Sequence, residues 1–199
     1  MAVRDKMAFL IDKTRNLIGD PASATQQFTA QQIQDALDVY RVYVRYALLL
    51  CDPTRSPGGA LNYDNFYAKV GDWEDDAQLF GPSYQPLTPA QTDTLTGHWV
   101  FSLPNPGQLL PVFITGQTYD VYGASADLLL RWAASLARAY NFSANGVVFQ
   151  RSQQTQELRA MAAEYRRMQR PRVVQLKRDD LNSENGYTNA PSGLIGLDW

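Results

Sequence analysis

The sequence predicts a mainly α-helical protein: a four-helix bundle with an inserted small antiparallel β-subdomain and an extended C-terminal tail. Residues 119–168 of the 199-residue chain are typical of a long apolar helix, a short extended joint and a charged helix. Two other stretches with helical spacing precede residue 52, and six prolines between residues 82 and 111 exclude long helices from the middle of the chain. The predicted units are a helical core at 1–51 and 119–170, a β-rich insertion at 52–118 and an arm at 171–199.

The first two predicted helices are amphipathic and are separated by a clear stop. Gly19 is placed to end the first helix, and Asp20-Pro21 prevents its return. Thr29 and Gln32 have the spacing of a capping box for the second helix, which is expected to reach Cys51. The apolar stripes predicted to face the core are Val3, Met7, Leu10, Ile11, Thr14, Leu17 and Ile18, then Ile33, Ala36, Leu37, Tyr40, Tyr43, Val44, Ala47 and Leu48.

The predicted insertion alternates short apolar runs with turn-forming residues. Its runs at 78–80, 98–103 and 112–115 are predicted to be three strands of one small antiparallel sheet. Pro104-Asn105-Pro106-Gly107 is expected to join the last two strands. A connection of this length inside a compact protein needs structure of its own.

The third and fourth predicted helices differ in their surfaces. Asp120 is a plausible N-cap for the third helix, whose side chains are apolar nearly all round and therefore predict burial on several sides. Leu129 and Trp132 are expected in the core of the bundle. Ser152 is the expected cap of the fourth helix, which keeps a charged face for water or a partner.

The arm after Pro171 lacks helical periodicity and has too few apolar residues for a core of its own. Its first part alternates like a strand, and its last part is rich in Asn, Ser and Gly. The arm is predicted to become ordered against a partner surface or a neighbouring copy. The residues predicted to bind there are Val173, Val174, Leu176, Leu194, Ile195, Leu197 and Trp199.

Charge is distributed unevenly along a chain whose net charge is only −2. Residues 52–127 hold nine acids and two bases, whereas residues 151–178 hold eight bases and two acids. This asymmetry suggests complementary contacts between copies, or contacts with another protein or with DNA. Two interpretations stay open for the basic residues Arg159, Arg166, Arg167 and Arg170: a solvated helix end favoured by the helix dipole, or charges that face DNA.

The acidic run Asp72, Glu74, Asp75 and Asp76 is the one candidate for cation binding. It lacks the glycine and oxygen-ligand spacing of an EF-hand loop, and Trp73 within it is typical of an anchor. A solvated or interface loop is therefore favoured over a metal site. No metal or other cofactor is expected.

Catalytic patterns are not evident in the sequence. His98, the only histidine, lies in a predicted strand without a Ser/His/Asp pattern, which favours a structural role. Cys51, the only cysteine, is expected to be a small buried residue at the end of a helix. No phosphate loop, dinucleotide-binding glycine pattern, signal-peptide core or membrane span is recognisable, so the sequence predicts a soluble, intracellular, non-enzymatic protein.

Two stretches carry a resemblance to a known family. The opening RDKMAFLIDKTRNLIGDPASATQQFTAQQIQDALD, residues 4–38, resembles the first helical pair of the head-to-tail adaptor (connector) proteins of tailed bacteriophages. YDVYGASADLL at 119–129, then AYNFS at 139–143 and FQRSQ at 149–153, are similar to the later helices and joint of the same proteins. Together they cover roughly half of the chain, whereas residues 52–117 depart from the smallest adaptors.

The resemblance implies a structural virion protein of the neck. Such adaptors form a ring, usually dodecameric, beneath the portal protein, connect the head to the next neck or tail protein, and enclose the channel used in genome packaging and ejection. It implies assembly in the host cytoplasm and C-terminal segments that bind the portal. The resemblance does not extend to the insertion, which we place on the exterior of the ring as our own hypothesis. Arginines of the last helix would then meet passing double-stranded DNA by non-specific attraction.

Two alternatives remain open at this point. The chain could be a soluble, non-catalytic module that binds one protein through its tail or its acidic loop. Less favoured is a divalent-metal hydrolase that uses the acidic loop. Ring formation with a portal protein would separate the first alternative from the adaptor hypothesis, and metal-dependent stabilisation or nuclease activity would support the second.

Overall fold

The computed structural model describes residues 3–55, 57–59, 61–102, 111–137, 142–144, 147–149 and 151–171. Within those ranges the protein has a mixed α/β fold, with four α-helices, two four-stranded antiparallel sheets and a short two-stranded hairpin. The prediction of a mainly α-helical bundle is therefore wrong. Helices do form one apolar core, but β-strands occupy far more of the chain than one small inserted sheet.

The helices begin and end close to the signals in the sequence. They are α1 (Ala8–Ile18), α2 (Ala30–Val39), α3 (Val121–Ala137) and α4 (Arg151–Met168), with a 3-10 turn at Asp5–Met7. Gly19 ends α1 in the left-handed conformation, with φ of 68°, and Thr29 and Gln32 form the predicted capping box of α2. The Asp120 carboxylate accepts a hydrogen bond from the Gly123 N–H at 3.1 Å, as a cap of α3 should. The last helix begins at Arg151, one residue before the predicted cap Ser152.

The strands are β1 (Arg41–Leu48), β2 (Leu50–Arg55), β3 (Leu61–Tyr67), β4 (Gln78–Phe80), β5 (Pro86–Leu87), β6 (Gln91–Asp93), β7 (His98–Val100), β8 (Phe113–Tyr119), β9 (Phe142–Ala144) and β10 (Val147–Phe149). Within the described residues they form three antiparallel sheets. The first has the order β1-β8-β4-β5, the second β2-β3-β7-β6, and β9 pairs with β10 at the predicted joint between α3 and α4.

The second helix is much shorter than predicted. It stops at Val39, and the chain continues as β1, in which Tyr43 and Leu48 of the predicted inner face are 64% and 53% exposed. Residues 42–46 are rich in β-branched and aromatic side chains, which favour a strand once a neighbouring strand is present. That neighbour is β8, which places Arg41 opposite Tyr119. This pairing places the start of β1 beside the start of α3.

The three strands predicted in the insertion exist, but they do not form one sheet. The 78–80 prediction is confirmed by β4, while β7 is shorter than predicted and β8 extends four residues further, to Tyr119. β4 and β8 pair in the first sheet, whereas β7 pairs with β3 and β6 in the second. The expected turn at 104–107 lies outside the described residues. The division of the chain into domains stays a prediction.

Two apolar clusters hold the fold together. The helical core joins all four helices, and it includes Leu129, which is fully buried as predicted. Trp132 lies at the margin of this core, half-buried and edge-on to Phe28 with ring centroids 6.4 Å apart. The β-core is built around Trp73 and Trp99, each 1% exposed, and is completed by Leu49, Phe66, Leu79, Val112 and Ile114.

Candidate functional site

The last helix presents one face to the core and the other to solvent. Leu158 and Ala162 are buried against the helical core, and the Tyr165 hydroxyl donates to the Leu17 carbonyl at 2.8 Å. Arg159 and Arg167 are exposed and form no ion pair with another described residue. The face therefore offers two guanidinium groups to solvent or to a partner, which fits both interpretations of the basic helix end.

Arg166 is tied to the helical core. Its guanidinium forms an ion pair with Asp127 on α3 and approaches the Tyr40 hydroxyl at 3.4 Å. The Tyr40 hydroxyl in turn donates to the other Asp127 oxygen at 2.7 Å. This network links α2, α3 and α4, while the Arg166 side chain stays 43% exposed. Arg166 therefore has a structural role that the sequence did not reveal.

Arg170 is an anchor between the end of α4 and the loops beside the first sheet. Its Nη2 donates to the Gly71 carbonyl at 2.9 Å and to Asp72 at 3.2 Å, and its Nη1 donates to the Thr118 hydroxyl at 2.9 Å. Its backbone N–H donates to Asp120 at 3.0 Å. These bonds fix the position at which the chain leaves the last helix. The Arg170 side chain therefore has a structural role.

The acidic loop divides into a buried part and an exposed part. Asp72 and Glu74 are buried, and Asp72 is paired with Lys13 and with Arg170. Glu74 lies 3.2 Å from Arg4 Nε and accepts a hydrogen bond from the Tyr119 hydroxyl at 2.7 Å. Burial, followed by the contact with Glu74, raises the pKa of Tyr119 well above its ordinary value. These two carboxylates are therefore engaged in holding the sheet against α1.

No group of three or more metal-ligating side chains occurs among the residues that the structure describes. Trp73, predicted to be an anchor, is 1% exposed and donates its Nε1–H to the Val70 carbonyl at 2.7 Å. His98 stacks on Tyr67, with ring centroids 4.2 Å apart, and its Nε2 lies 3.1 Å from Asn65 Oδ1. These contacts agree with the structural role predicted for His98.

The prediction for Cys51 is wrong. Its thiol is exposed in β2, and not buried at a helix end, because the helix that was expected to carry it stops at Val39. Partial burial, followed by the charges of Asp52 and Asp64, raises the pKa of this thiol. Cys51 lies on a surface formed by β1 and β2, which are the outer strands of the two larger sheets. We call residues 41–55 the open edge.

An aromatic stack around Tyr46, a residue of the open edge, was not predicted. The Tyr46 ring lies between Phe113 and Tyr84, with centroid distances of 4.2 and 4.4 Å. Both tyrosines have positive φ, 52° at Tyr46 and 59° at Tyr84, a conformation that bulky side chains rarely adopt. Tyr46 lies at the register shift of β1, where ring stacking offsets the backbone strain. The sequence feature that could have indicated this stack is the enrichment of the segment in aromatic residues.

The predicted arm residues lie outside the described part of the chain: Val173, Val174, Leu176, Leu194, Ile195, Leu197 and Trp199. Their proposed contacts stay predictions. Among the described residues, no helix has the length and apolar character needed to cross a bilayer.

Comparison with known proteins leaves the family of this chain open. No family model, curated protein or solved structure matches it.

Proposed function

We propose that this protein is a subunit of a head-to-tail adaptor ring in the neck of a tailed bacteriophage. One observation carries the proposal: the two stretches that resemble adaptors, 4–38 and 119–168, are distant in sequence but build one apolar core. The Arg4 guanidinium contacts Asp38 in the first stretch and the Tyr119 hydroxyl in the second. Most residues of the β-core belong to the part of the chain that departs from the resemblance.

The proposed ring has a portal protein on one side and the next neck or tail protein on the other. Its wall would be made of neighbouring copies, and its lumen would be lined by the exposed face of α4. Arg159 and Arg167 are the better candidates for contact with passing DNA, because Arg166 and Arg170 also hold intramolecular ion pairs. Weak, salt-sensitive attraction to phosphates suits a channel, since tight binding would oppose transit.

The arm is proposed to attach the ring to the portal. Arg170 fixes the end of α4, so that residues 171–199 start from a defined place beside Asp72 and Asp120. Each apolar anchor that fills a pocket contributes ~1.5–3 kcal/mol against the ordering entropy of the arm. Repetition around a ring would multiply weak anchors by avidity.

The test is a deletion of residues 182–199, measured for folding and for attachment to portal rings purified from the same phage. We expect an unchanged melting transition and no attachment. A second experiment measures the weak binding of DNA by the chain. Arg159→Ala and Arg167→Ala should each reduce this binding. Arg131→Ala, which removes an exposed arginine of α3, is the control and should leave it unchanged. A full chain that attaches as a single copy, or not at all, would contradict the proposal.

A non-catalytic module that binds one protein is the second candidate function. The exposed apolar side chains of the open edge favour it, because single monomers rarely leave large apolar patches uncovered. The number of copies bound per portal ring separates the two candidates. The adaptor function requires a closed ring of copies, whereas a binding module would attach without contacts between copies.

A further inference from the structure

The open edge consists of two consecutive strands with many exposed side chains that no described part of the chain covers. β1 and β2 follow each other across Leu49, which is buried and donates its N–H to the Val112 carbonyl at 2.8 Å. All six residues of β2 are exposed. The large apolar side chains that are more than half exposed on this edge are Val42, Tyr43, Leu48 and Leu50.

The open edge carries three arginines against one acid, Asp52. Arg41, Arg45 and Arg55 are exposed and have no ion-pair partner among the described residues. Residues directly opposite each other in an antiparallel pair share one face of the sheet. Arg41 lies opposite Tyr119, and Tyr43 lies opposite Gln117. Both side chains therefore point to the face of the sheet on which the N-terminal turn and α1 are packed.

The opposite side of β8 is acidic. Trp73 bridges Thr118, and the Glu74 N–H donates to the Gln117 carbonyl at 2.8 Å, so the acidic loop runs along the edge of β8 that β1 does not use. Beside it, Asp5, Lys6 and Asp76 line one open groove. We call Asp5, Asp75 and Asp76 the acidic corner.

Two bases line the same groove, but Arg4 is already paired with Asp38 and Glu74, so Lys6 is the base left to offset the three acids of the corner. Lys6 forms an ion pair with Asp76 at 2.8 Å. The hydrogen bond to Asp76, followed by the charges of Asp76, Glu74 and Asp75, raises the pKa of Lys6. The corner therefore keeps a negative potential even with its lysine in place.

No ion pair joins these two surfaces within one copy among the described residues. They lie on opposite edges of the same strand, about two strand spacings or ~10 Å apart. A contact that joins two different surfaces of identical chains is heterologous, and it produces a ring when the rotation between copies closes. A second copy of the chain is therefore a partner that offers a surface of the opposite charge.

We propose that the open edge of each copy docks against the acidic corner of the next copy. The contact places apolar side chains of β1 and β2 at its centre and pairs Arg41, Arg45 and Arg55 with the acids of the neighbour. This names the partner of the open edge within the proposed ring, so its closure into a ring rests on the proposed function. The contact itself is testable with the chain alone.

Side-chain docking fits this edge better than addition of another strand. Pro53 removes a hydrogen-bond donor from β2, and register shifts interrupt both edge strands, after Val44 and after Asp52. The arm is also a poor occupant of the edge, because Arg172, Lys177 and Arg178 make its strand-like part basic. Like charges disfavour that pairing.

The test uses two charge-reversed variants of the full chain, Arg41→Glu/Arg45→Glu and Asp75→Lys/Asp76→Lys. Mass is measured by light scattering over a range of protein and salt concentrations. Each variant alone should associate at least about tenfold more weakly than the wild type, because both of its surfaces then carry the same sign. An equimolar mixture should regain the wild-type mass, because alternating copies make every contact complementary again. Arg131→Glu, on α3, is the matched control.

The native thiol gives an independent readout. Because Cys51 lies on the open edge, its alkylation should slow as the wild type associates and should stay fast in Arg41→Glu/Arg45→Glu. The variant Asp75→Cys should form a ladder of intermolecular disulfides with Cys51, and the ladder should disappear when Cys51→Ser is added. Asp35→Cys, an exposed position on α2, should give no ladder.

The outcomes separate this contact from the proposed function. Variants that associate like the wild type, a mixture that does not recover, or a wild type that stays monomeric at all concentrations would each overturn the contact. Attachment of Arg41→Glu/Arg45→Glu to portal rings with an unchanged copy number would also overturn it, while the adaptor function would stand. A wild type that associates through this edge but never binds a portal would leave the contact standing and reject the adaptor function.

Discussion

The helical core and the β-region, which contains the two four-stranded sheets and the β-core, stabilise the same chain in different ways. In the helical core, side chains from α1, α2, α3 and α4 close around one another, and Leu128 and Leu129 have no exposed surface. In the β-region, Trp73 and Trp99 form a smaller core, while the outer strands β1 and β2 leave large apolar side chains in solvent. One region closes around its own side chains, and the other leaves the apolar surface that we propose a second copy covers.

This difference separates folding from assembly. Substitutions in the helical core should change the free energy of unfolding, whereas substitutions on the open edge should change association and leave folding nearly unchanged. The polar links between the regions, at Arg4, Asp72 and Arg170, should fall between these extremes.

The largest effect is expected in the helical core. Leu129→Ala should lower the free energy of unfolding by ~2–5 kcal/mol, because it removes a fully buried side chain and leaves a cavity. The neighbouring Leu130 is 40% exposed, so Leu130→Ala should cost less than about 1 kcal/mol. Urea denaturation of both variants measures the difference. Equal losses would show that α3 does not bury the face described here.

A smaller effect is expected where α4 meets the β-region. Arg170→Ala should cost ~1–3 kcal/mol, because the buried Asp72 carboxylate and the Gly71 carbonyl each lose a partner. Arg167→Ala is the control and should stay within about 0.5 kcal/mol, since its side chain is exposed. Thermal and chemical denaturation report both. An unchanged Arg170→Ala protein would remove the anchor role assigned to Arg170.

The smallest effect is one of pH. Tyr119 has a raised pKa in the folded protein, so above about pH 10 the unfolded chain loses this proton while the folded chain keeps it. The stability that Tyr119 contributes is complete below about pH 10 and then falls by up to ~1.4 kcal/mol per pH unit. Tyr119→Phe should flatten this decline.

The matched control for the pH effect is Tyr84→Phe, because the Tyr84 ring is 69% exposed. It should leave the wild-type slope in place. A wild-type slope that persists in Tyr119→Phe would assign the alkaline loss to another group.

The sequence predicted the parts of the fold that local chemistry determines. Gly19, the capping box at Thr29 and the cap at Asp120 act on the residues beside them, so their effects are visible without tertiary structure. The prediction that the second helix reaches Cys51 was wrong because the apolar residues of 40–48 also fit a helical pattern. The competing partner of that segment, β8, is some seventy residues away in sequence.

The candidate surfaces were predictable to different degrees. Exposure of Arg159 and Arg167 follows from the period of α4, but the ion pairs of Arg166 and Arg170 depend on Asp127 and Asp72, which only the tertiary fold brings near. The open edge could not be predicted from the sequence for the same reason. Tyr43 and Leu48 were assigned to the inner face of a helix, and the strand that replaced the helix exposes them.

The most direct test of the central claim is an electron micrograph of the particle neck in which this chain is traced. We expect a closed ring beneath the portal, with α4 on the lumen and each open edge covered by the acidic corner of the neighbouring copy. Residues 171–199 should reach the portal. A ring that carries the Arg159 and Arg167 guanidinium groups on its outer wall, or leaves residues 41–55 uncovered, would contradict this account.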